Sequence, residues 1–413
     1  MGVSPGYKQT DIGVIPADWG VRSIGQMFRL INGCPFKPND WKQSGTPIIR
    51  IQNLNDPFAP FNFSQAPVPE KNRVEPGDLL FAWSGTLGSS FGARVWAGPS
   101  GVLNQHIFKV HMDEGQITLS FSLLVFARVE EDIAKQAHGF KASFVHVKKS
   151  DLVKVDLPVP PLPEQHAIAE ALSDVDALLG ALDRLIAKKR GLKQAAMQQL
   201  LTGQTRLPGF HGEWELKRLG ELGATFGGLT GKTKDDFGDG SGRYITFMNV
   251  MTNVVIDCGT FERVKISTSE SQNRAVKGDL FFNGSSETPE EVAMCAVLTE
   301  EVHDVFLNSF CFGFRFRSGA DADGMFLAYY FRSREGRELM KSLAQGSTRY
   351  NLSKTALLQS PLRLPPLPEQ TAIAEVLAEM DAELAALDQR RTKTRALKQA
   401  MMQELLTGRT RLV

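Results

Sequence analysis

Two short segments of the chain resemble sites of cofactor or nucleotide chemistry, and each lacks a part that the chemistry needs. Gly227 to Thr233 resembles a phosphate-binding loop, but the spacing from its first usable glycine to Gly231-Lys232-Thr233 is one residue short. Asn55-Asp56-Pro57-Phe58 resembles the Asn-Pro-Pro-Tyr/Phe tetrapeptide of amino-methyltransferases, but Asp56 replaces the first proline. The sequence also lacks the His-Glu-x-x-His and Gly-x-Ser-x-Gly motifs of hydrolases. We therefore predict no catalytic residue on this chain.

Composition narrows the class of protein. The 413 residues are 42% hydrophobic and 23% charged, with a formal net charge of +1, as is ordinary for a globular chain. No apolar segment resembles a signal peptide or a membrane span, so we expect a cytoplasmic protein. The four cysteines form no Cys-x-x-Cys pair and have no His cluster beside them, so we expect reduced thiols and no metal site.

The chain contains an internal repeat. Residues 161–207 and 366–412 align without a gap at a constant offset of 205 residues, and 31 of the 47 aligned positions are identical. Both copies open with Pro-Leu-Pro-Glu-Gln and contain Leu-Leu-Thr-Gly near their ends. Each copy follows a dissimilar segment of roughly 150 residues, so the order is variable, constant, variable, constant.

Each constant copy is predicted to form a long helix. The prolines of the lead-in cannot lie inside a helix, so the helix should begin near Pro163, and Gly203 suits its C-cap. Each helix would run about 38 residues, or roughly 57 Å. Apolar residues recur at alternating steps of three and four, the pattern of a coiled-coil seam. The predicted seam residues are Ile168, Leu172, Val175, Leu179, Leu182, Leu192, Ile373, Leu377, Met380, Leu384, Leu387 and Leu397.

The charges of these helices predict how they pair. Acidic side chains occupy the first half of each copy and basic side chains the second half. An antiparallel pair places unlike charges side by side, whereas a parallel pair places like charges together. We therefore predict an intramolecular antiparallel coiled coil with a pseudo-twofold axis. Packing of each helix on its own preceding domain, or an intermolecular bundle, is the alternative.

The two variable segments follow one plan without sharing a sequence. Each has an early tryptophan, a Gly-containing loop, an alternating apolar stretch, a Gly-Asp strand entry and a later Leu-Asn pair. Short strands, many turns and one or two helices predict mixed α/β (α+β) domains. The predicted divisions are a first domain at 1–157, a helix with its proline lead-in at 158–207, a second domain at 208–362 and a second helix at 363–413.

This arrangement resembles the specificity subunit of type I restriction-modification systems. The resemblance spans the chain and depends on the doubled Pro-Leu-Pro-Glu-Gln and Leu-Leu-Thr-Gly motifs. It implies two target recognition domains that each read one half of a split sequence in double-stranded DNA. It also implies helices that act as a spacer and dock two methyltransferase subunits, with motor-nuclease subunits joining that core. S-adenosylmethionine, ATP and magnesium are then expected on the partners and no cofactor on this chain.

The resemblance places DNA contacts in the Gly-flanked loops and strand ends, where Arg, Lys, Asn and Gln can reach base edges. In the first domain the candidates are Lys37, Asn39, Trp41, Lys42, Arg50, Gln52, Asn53, Gln105, His106 and Lys141. In the second domain they are Thr230, Lys232, Lys234, Asn249, Ser285, Ser286, Arg349 and Asn351. The alternative for each is a solvated loop residue or, for Trp41, a packing residue.

Two other classes of protein remain open at this point. A coiled-coil scaffold with two globular heads and no DNA readout would share the helices, although the common plan of the heads counts against it. A chain with its own catalysis would need motifs that the sequence lacks. The recognised bases and the length of the gap between half-sites do not follow from the sequence.

Overall fold

The computed structural model describes residues 4–57, 59–137 and 144–412. Its residues cluster into two compact units, the described parts of Met1–Leu182 with Arg390–Val413, and Asp183–Gln389. Both boundaries fall inside the two long helices, so each unit contains one end of each helix. Within the described residues, no helix is both long and apolar enough to cross a bilayer.

The first variable segment is built from short strands. They are Tyr7–Thr10 (β1), Gly13–Pro16 (β2), Gly20–Ser23 (β3), Phe28–Asn32 (β4), Thr46–Ile49 (β5), Asn62–Ser64 (β6), Arg73–Val74 (β7), Leu79–Ala82 (β8), Ser84–Thr86 (β9), Gly92–Val95 (β10), Gly101–Leu103 (β11), Ile107–Met112 (β12), Phe144–His146 (β13) and Asp156–Val159 (β14). The helices are Ile24–Met27 (α1), Ile51–Asn55 (α2), Leu119–Ala137 (α3), Lys149–Leu152 (α4) and the long Leu162–Leu200 (α5).

The second variable segment repeats this plan. Its strands are Glu215–Arg218 (β15), Gly223–Gly227 (β16), Phe237–Ile245 (β17), Glu262–Val264 (β18), Leu280–Asn283 (β19), Ser285–Ser286 (β20), Cys295–Val297 (β21), Val305–Leu307 (β22), Cys311–Phe316 (β23), Ala344–Gln345 (β24), Tyr350–Leu352 (β25) and Pro361–Leu364 (β26). Its helices are Leu219–Leu222 (α6), Phe247–Thr252 (α7), Gly324–Arg332 (α8), Arg334–Leu343 (α9), Lys354–Gln359 (α10) and the long Leu367–Leu405 (α11).

The two largest sheets of each segment are one antiparallel and one mixed sheet, beside smaller antiparallel sheets. The large antiparallel sheets have the orders β10-β8-β12-β4 and β16-β23-β19-β21. The mixed sheets, β6-β5-β11-β7 and β18-β17-β22, contain the parallel pairs β5/β11 and β17/β22. The central strand β8 reads Leu-Leu-Phe-Ala and is buried throughout, because helix α3 covers one face and the mixed sheet's core lies against the other. These sheets hold the loops in which the candidate DNA contacts lie.

The two long helices pair antiparallel within each unit. In the unit that contains the chain ends, Lys398 of α11 lies 2.7 Å from Asp176 of α5. Farther along both helices, Ile168 and Leu172 share a core cluster with Met402 and Leu405. As residue numbers fall along α5 they rise along α11, which is the antiparallel sense.

The second unit shows the same pairing at the other ends of the helices. Lys193 pairs with Asp381, Lys189 lies 2.7 Å from Glu383, and Arg190 lies 3.0 Å from Asp388. Bases from the second half of α5 thus meet acids from the first half of α11. The antiparallel orientation predicted from the charge order is confirmed within each unit.

The repeated Glu of Pro-Leu-Pro-Glu-Gln is a buried anchor for the tail that follows the other helix. Glu164 accepts hydrogen bonds from Arg411 Nε at 2.6 Å and from the indole of Trp19 at 2.8 Å. Glu369, its repeat equivalent, binds the guanidinium of Arg206, with 2.5 Å between Nη2 and Oε2. Both carboxylates are fully buried. Trp19 and Arg411, from the segments before the first domain's core and after α11, therefore meet beside the start of α5.

The repeated Gln joins each long helix to a loop of its own domain, the loop before α3 in the first domain and the loop before α8 in the second. Gln165 accepts from the Thr118 amide at 2.9 Å and donates to the carbonyls of Gln116 and Pro160. Gln370 makes the same kind of contacts with the Asp323 amide and with the carbonyls of Asp321 and Pro365. The first turns of both helices are therefore fixed to their own domains, so the alternative of packing on the preceding domain also holds in part.

Ten of the predicted seam residues are at least half-buried, and two are not. Ile168, Leu172, Leu182, Ile373 and Leu377 are buried, whereas Leu192 is 48% exposed and Leu397 is 56% exposed. The seam prediction is wrong for Leu192 and Leu397. Both lie beyond the break in the apolar repeat at Lys189 and Thr394. The buried face keeps its spacing of three and four residues there through Lys189, Lys193 and Ala196, so it passes beside Leu192. Lys189 pairs with Glu383 of the sister helix.

Candidate nucleic-acid interface

In each domain the two parallel strands end together. In the first domain Ile49 of β5 stands opposite Leu103 of β11, and the Asn104 amide donates to the Ile49 carbonyl at 3.0 Å. Because the carboxyl ends of neighbouring parallel strands meet at one edge of a sheet, the residues that follow them converge there. We call the residues after β5 and β11, with the loop after β4, the first strand-end site.

The second domain has the same arrangement. Ile245 of β17 stands opposite Leu307 of β22, and the Asn308 amide donates to the Ile245 carbonyl at 3.0 Å. The residues after β17 and β22, with the loop after β16, form the second strand-end site. The Leu-Asn pair that the sequence repeats is therefore the end of an equivalent strand in both domains.

A glycine loop crosses each of these edges. The Cys34 amide donates to the Leu103 carbonyl and the Leu229 amide to the Leu307 carbonyl, both at 2.8 Å. A Cβ atom on Gly33 would stand 2.0 Å from the Asn104 carbonyl oxygen, and one on Gly228 would stand 2.1 Å from that of Asn308. Only glycine permits this approach of two backbones. The Gly-containing loops are thus required by the packing at each strand-end site.

The first strand-end site contains a cavity of about 340 Å³. Its walls come from the Gly loop, the start of α2 and the residues after β11, and they are Phe36, Trp41, Arg50, Ile51, Gln52, Asn104, Gln105, His106 and Ile107. Five of the ten predicted DNA contacts of this domain, Trp41, Arg50, Gln52, Gln105 and His106, therefore line one cavity.

Four polar atoms in these walls lack a hydrogen-bond partner among the described residues. They are Trp41 Nε1, Asn104 Oδ1, Gln105 Oε1 and His106 Nδ1, all buried. Buried polar atoms of folded proteins are nearly always paired, and leaving one unpaired costs about 1–3 kcal/mol. A cluster of four such atoms around one cavity makes it a candidate site for a polar ligand.

Arg50 brings a positive charge to this cavity. Its guanidinium lies 4.7 Å from the centroid of the Trp41 ring and donates to Asn62 Oδ1 at 2.8 Å. Stacking and this hydrogen bond hold the planar group at the cavity wall. The site therefore offers an oriented cation, amide groups and an imidazole, the side chains that recognise phosphates and base edges.

Sequence reasoning missed an aromatic cluster beside the same edge. Trp83 lies 5.3 Å from the His106 ring and 4.6 Å from the His146 ring, and its indole donates to the Gln105 carbonyl at 3.1 Å. A half-buried tryptophan directly after the buried strand β8 was the available signal. It positions the segment that carries Gln105 and His106.

The other candidates of the first domain are dispersed. Lys37, Asn39 and Lys42 are exposed in the loop before β5, and Lys141 lies outside the described residues. Asn53 is fully buried, where it accepts from the Arg50 amide and donates to the Ala59 carbonyl. A direct contact between Asn53 and DNA is no longer expected, because its side chain is needed to start α2.

In the second domain the exposed candidates are Thr230, Lys234, Arg349 and Asn351. Lys232 lies 2.6 Å from Glu270, whose pKa falls to about 2, chiefly through that hydrogen bond from Lys232. Lys232 is therefore already paired with a carboxylate. This is a second argument against phosphate binding by this loop, in addition to the residue that the motif lacks.

Three further candidates of the second domain have internal roles. Asn249 is buried and its side chain donates to the Asp257 carbonyl and the Thr260 hydroxyl, much as Asn53 donates to the Ala59 carbonyl at the equivalent turn. Ser285 and Ser286 are buried in β20, which pairs with β25. As with Asn53, direct base contacts are no longer expected from these three residues.

Thiol and metal chemistry find little support in the described residues. Burial raises the pKa of the Cys34 and Cys258 thiols, and it raises that of Cys311 to about 12. These thiols are protonated at neutral pH and are poor nucleophiles. In the same part of the chain no three His, Cys, Asp or Glu side chains lie close enough together to hold a metal ion.

Comparison with known proteins identifies the family. The model of the type I restriction modification DNA specificity domain matches residues 16–188 and 211–394, once for each variable segment and the helix after it. The chain belongs to this family of specificity subunits. It is 25% identical over 415 residues to the type I restriction enzyme MjaVIII specificity subunit of Methanocaldococcus jannaschii, covering 96% of this chain and 94% of that protein. It is 22% identical over 403 residues to the EcoKI specificity subunit of Escherichia coli, covering 90% and 83%.

Solved structures of specificity subunits share the fold. The S subunit of the type I system from M. genitalium superposes with a TM-score of 0.54 at 16% identity, covering 98% of this chain and 99% of that one. A chain from a study of complex assembly and conformational transition in the type I restriction-modification system gives a TM-score of 0.59 at 17% identity, covering 95% and 99%. At these identities the likeness establishes the fold of the specificity subunit and nothing finer.

Proposed function

We propose that this specificity subunit reads a split sequence in double-stranded DNA, one half-site with each strand-end site. The observation that carries the proposal is the cavity of the first site, where four buried polar atoms lack partners among the residues that the structure describes, beside the stacked guanidinium of Arg50. The edges of base pairs in the major groove present matching donors and acceptors. The equivalent geometry of the second domain supplies the second reader.

The chain is proposed to choose the sequence and leave the chemistry to its partners. Methyl transfer from S-adenosylmethionine would belong to two methyltransferase subunits docked on the long helices, and ATP- and magnesium-dependent cleavage to motor-nuclease subunits. The net charge of +1 supports this division, because tight binding to DNA by one chain usually requires a strong excess of positive charge.

Mapping of adenine methylation tests the proposal. Genomic DNA would be sequenced by a single-molecule method from cells that express this chain with the methyltransferase of its own system, and from cells that express the methyltransferase alone. A split motif with a fixed gap, present only with the chain, is the expected result. An active methyltransferase that modifies the same sites with and without the chain would favour a scaffold without DNA readout.

Binding by the isolated chain provides a second test. We expect weak binding that falls steeply as salt rises, because few phosphates would be neutralised without the partners. Tight, sequence-specific binding at physiological salt by the chain alone would contradict the proposal that the partner subunits supply part of the affinity for DNA. Fluorescence anisotropy with a duplex that carries the mapped motif, at several salt concentrations, measures this.

A further inference from the structure

The two strand-end sites present different chemistry at equivalent positions. Equal hydrogen bonds at the strand ends make Asn104 the counterpart of Asn308. Two residues later the first domain has His106 and the second has Phe310. In the same way, three residues after the paired Ile49 and Ile245, the first domain has Gln52 and the second has Met248. A polar pair in one reader is therefore replaced by an apolar pair in the other.

Both apolar side chains project from a fixed backbone. Met248 and Phe310 are each 60% exposed. The Phe310 amide donates to Asn308 Oδ1 at 2.9 Å, and its carbonyl accepts from the Gly284 amide at 2.8 Å. Asn308 Oδ1 thus has a donor, whereas Asn104 Oδ1 has none among the described residues. Phe310 is therefore exposed on a turn whose backbone is ordered by two hydrogen bonds.

Cations lie beside Phe310 and beside Phe312. The Arg349 guanidinium lies 5.9 Å from the centroid of the Phe310 ring, and Lys354 Nζ lies 5.1 Å from that of Phe312, two residues farther along β23. Both cations are on exposed residues. An exposed apolar ring beside cations suits a ligand that carries an apolar group close to anionic groups. In duplex DNA, the C5-methyl group of thymine in the major groove lies between phosphate backbones.

We infer that Met248 and Phe310 contact the methyl group of a thymine in the half-site that the second domain reads. The first domain, in contrast, reads its half-site by hydrogen bonds from residues such as Gln52 and His106. The inference rests on the proposed function and adds to it the chemical group that distinguishes the two half-sites.

Replacement of thymine by uracil removes this methyl group and leaves the base pair intact. The chain with its methyltransferase would bind duplexes that carry the mapped motif, with each thymine of each half-site replaced in turn by deoxyuridine. We expect affinity to fall about fourfold at one or two positions, all in one half-site, from the loss of one buried methyl. Replacements in the other half-site should leave the affinity within twofold of the parent duplex.

Variants assign the effect to the side chains. Phe310→Ala and Met248→Ala should bind the thymine and uracil duplexes equally. Leu216→Ala, which removes another exposed apolar side chain of the same domain, should keep the fourfold difference. Gln52→Ala should keep it as well, because it alters the other reader. Since both target side chains are exposed, the variants should fold, and circular dichroism with size-exclusion chromatography of the complex checks this.

The outcomes separate this inference from the proposed function. A split motif whose recognition is insensitive to uracil would overturn the inference alone, as would a fourfold difference that survives in both alanine variants. Loss of the methyltransferase from the complex of Phe310→Ala would show the patch to be a protein interface and overturn it too. Absence of any sequence-specific binding would overturn both proposals.

Discussion

Glu164 and Glu369 occupy the same place in the two repeats, but their partners differ. Glu164 keeps the hydrogen bond from Trp19 if Arg411 is removed, whereas Trp214 Nε1 has no partner among the described residues and gives Glu369 no such support. A buried carboxylate that loses its last strong donor is costly. We expect Arg206→Ala to lower the free energy of unfolding by about 3 kcal/mol and Arg411→Ala by about 1.5 kcal/mol.

Urea unfolding of both variants, followed by circular dichroism, measures the difference. Arg184→Ala serves as the control, because Arg184 is exposed on α5 and its loss should change the free energy of unfolding by less than about 0.5 kcal/mol. Equal losses for Arg206→Ala and Arg411→Ala would contradict the role assigned to Trp19.

Asp18 adds a pH-dependent contribution beside Glu164. Arg411 donates to both of its oxygens, at 3.0 and 2.9 Å, and this hydrogen bonding lowers the pKa of Asp18 below its ordinary value of 3.8. A depressed carboxylate pKa contributes stability above the unfolded pKa and loses it as the pH falls through the folded one. We expect Asp18→Asn to unfold at lower urea than the parent chain at pH 6. The difference should shrink below pH 3.8, and a constant difference from pH 6 to pH 2.5 would argue against it.

At the scale of the elements, one pair of repeat-equivalent ion pairs should differ in strength. Lys193–Asp381 and Lys398–Asp176 occupy equivalent positions, but Asp381 also accepts from the Tyr329 hydroxyl at 2.8 Å, and Lys193 lies 5.4 Å from the Tyr329 ring. We expect Lys193→Met to cost about 1 kcal/mol and Lys398→Met about half of that. Thermal unfolding of both variants at low and high salt tests the ranking. A larger loss for Lys398→Met would contradict the contribution of Tyr329.

The long helices could be predicted from the sequence nearly to the residue. Proline is tolerated only in the first turn of a helix, and glycine favours its end, so Pro163 and Gly203 defined the helix on both sides, and α5 spans Leu162–Leu200. Leu192 and Leu397 were misplaced because the prediction followed the apolar residues. The buried face instead continues in register through Lys189, Lys193, Thr394 and Lys398, which a search for apolar positions passes over.

The strand order could not be predicted in the same way. β5 pairs in parallel with β11, about fifty residues away, and nothing in either short strand specifies the other. For this reason the strand-end sites were visible only as repeated Leu-Asn pairs and Gly loops. Trp41, Arg50, Gln52, Gln105 and His106 were predicted by residue type and come together in the structure. Asn53 and Asn249 were misjudged, because an asparagine that starts a buried turn has the same sequence signature as one that faces solvent.

At the scale of the whole molecule, the beginning of the chain supports its end within one unit. Ile15 is 2% exposed in the core cluster that also contains Leu405 and Leu406, and a Cβ on Gly408 would press on Pro16. We expect deletion of residues 1–15 to destabilise this unit while leaving the methylated sequence unchanged. Ile15→Ala alone should cost about 2–4 kcal/mol. Calorimetry gives the stability, and methylation mapping gives the motif. A deletion that altered the motif would contradict this placement.

The unpaired atoms around the first cavity have a consequence for the evolution of the subunit. If Asn104 and its neighbours serve a ligand, the free chain is less stable than a sequence chosen for folding alone would be. Asn104→Leu, which removes one unpaired acceptor, should then raise the melting temperature by ~2–4 °C while weakening DNA binding. Selection for a new target sequence at this site would therefore exchange folding stability for DNA binding.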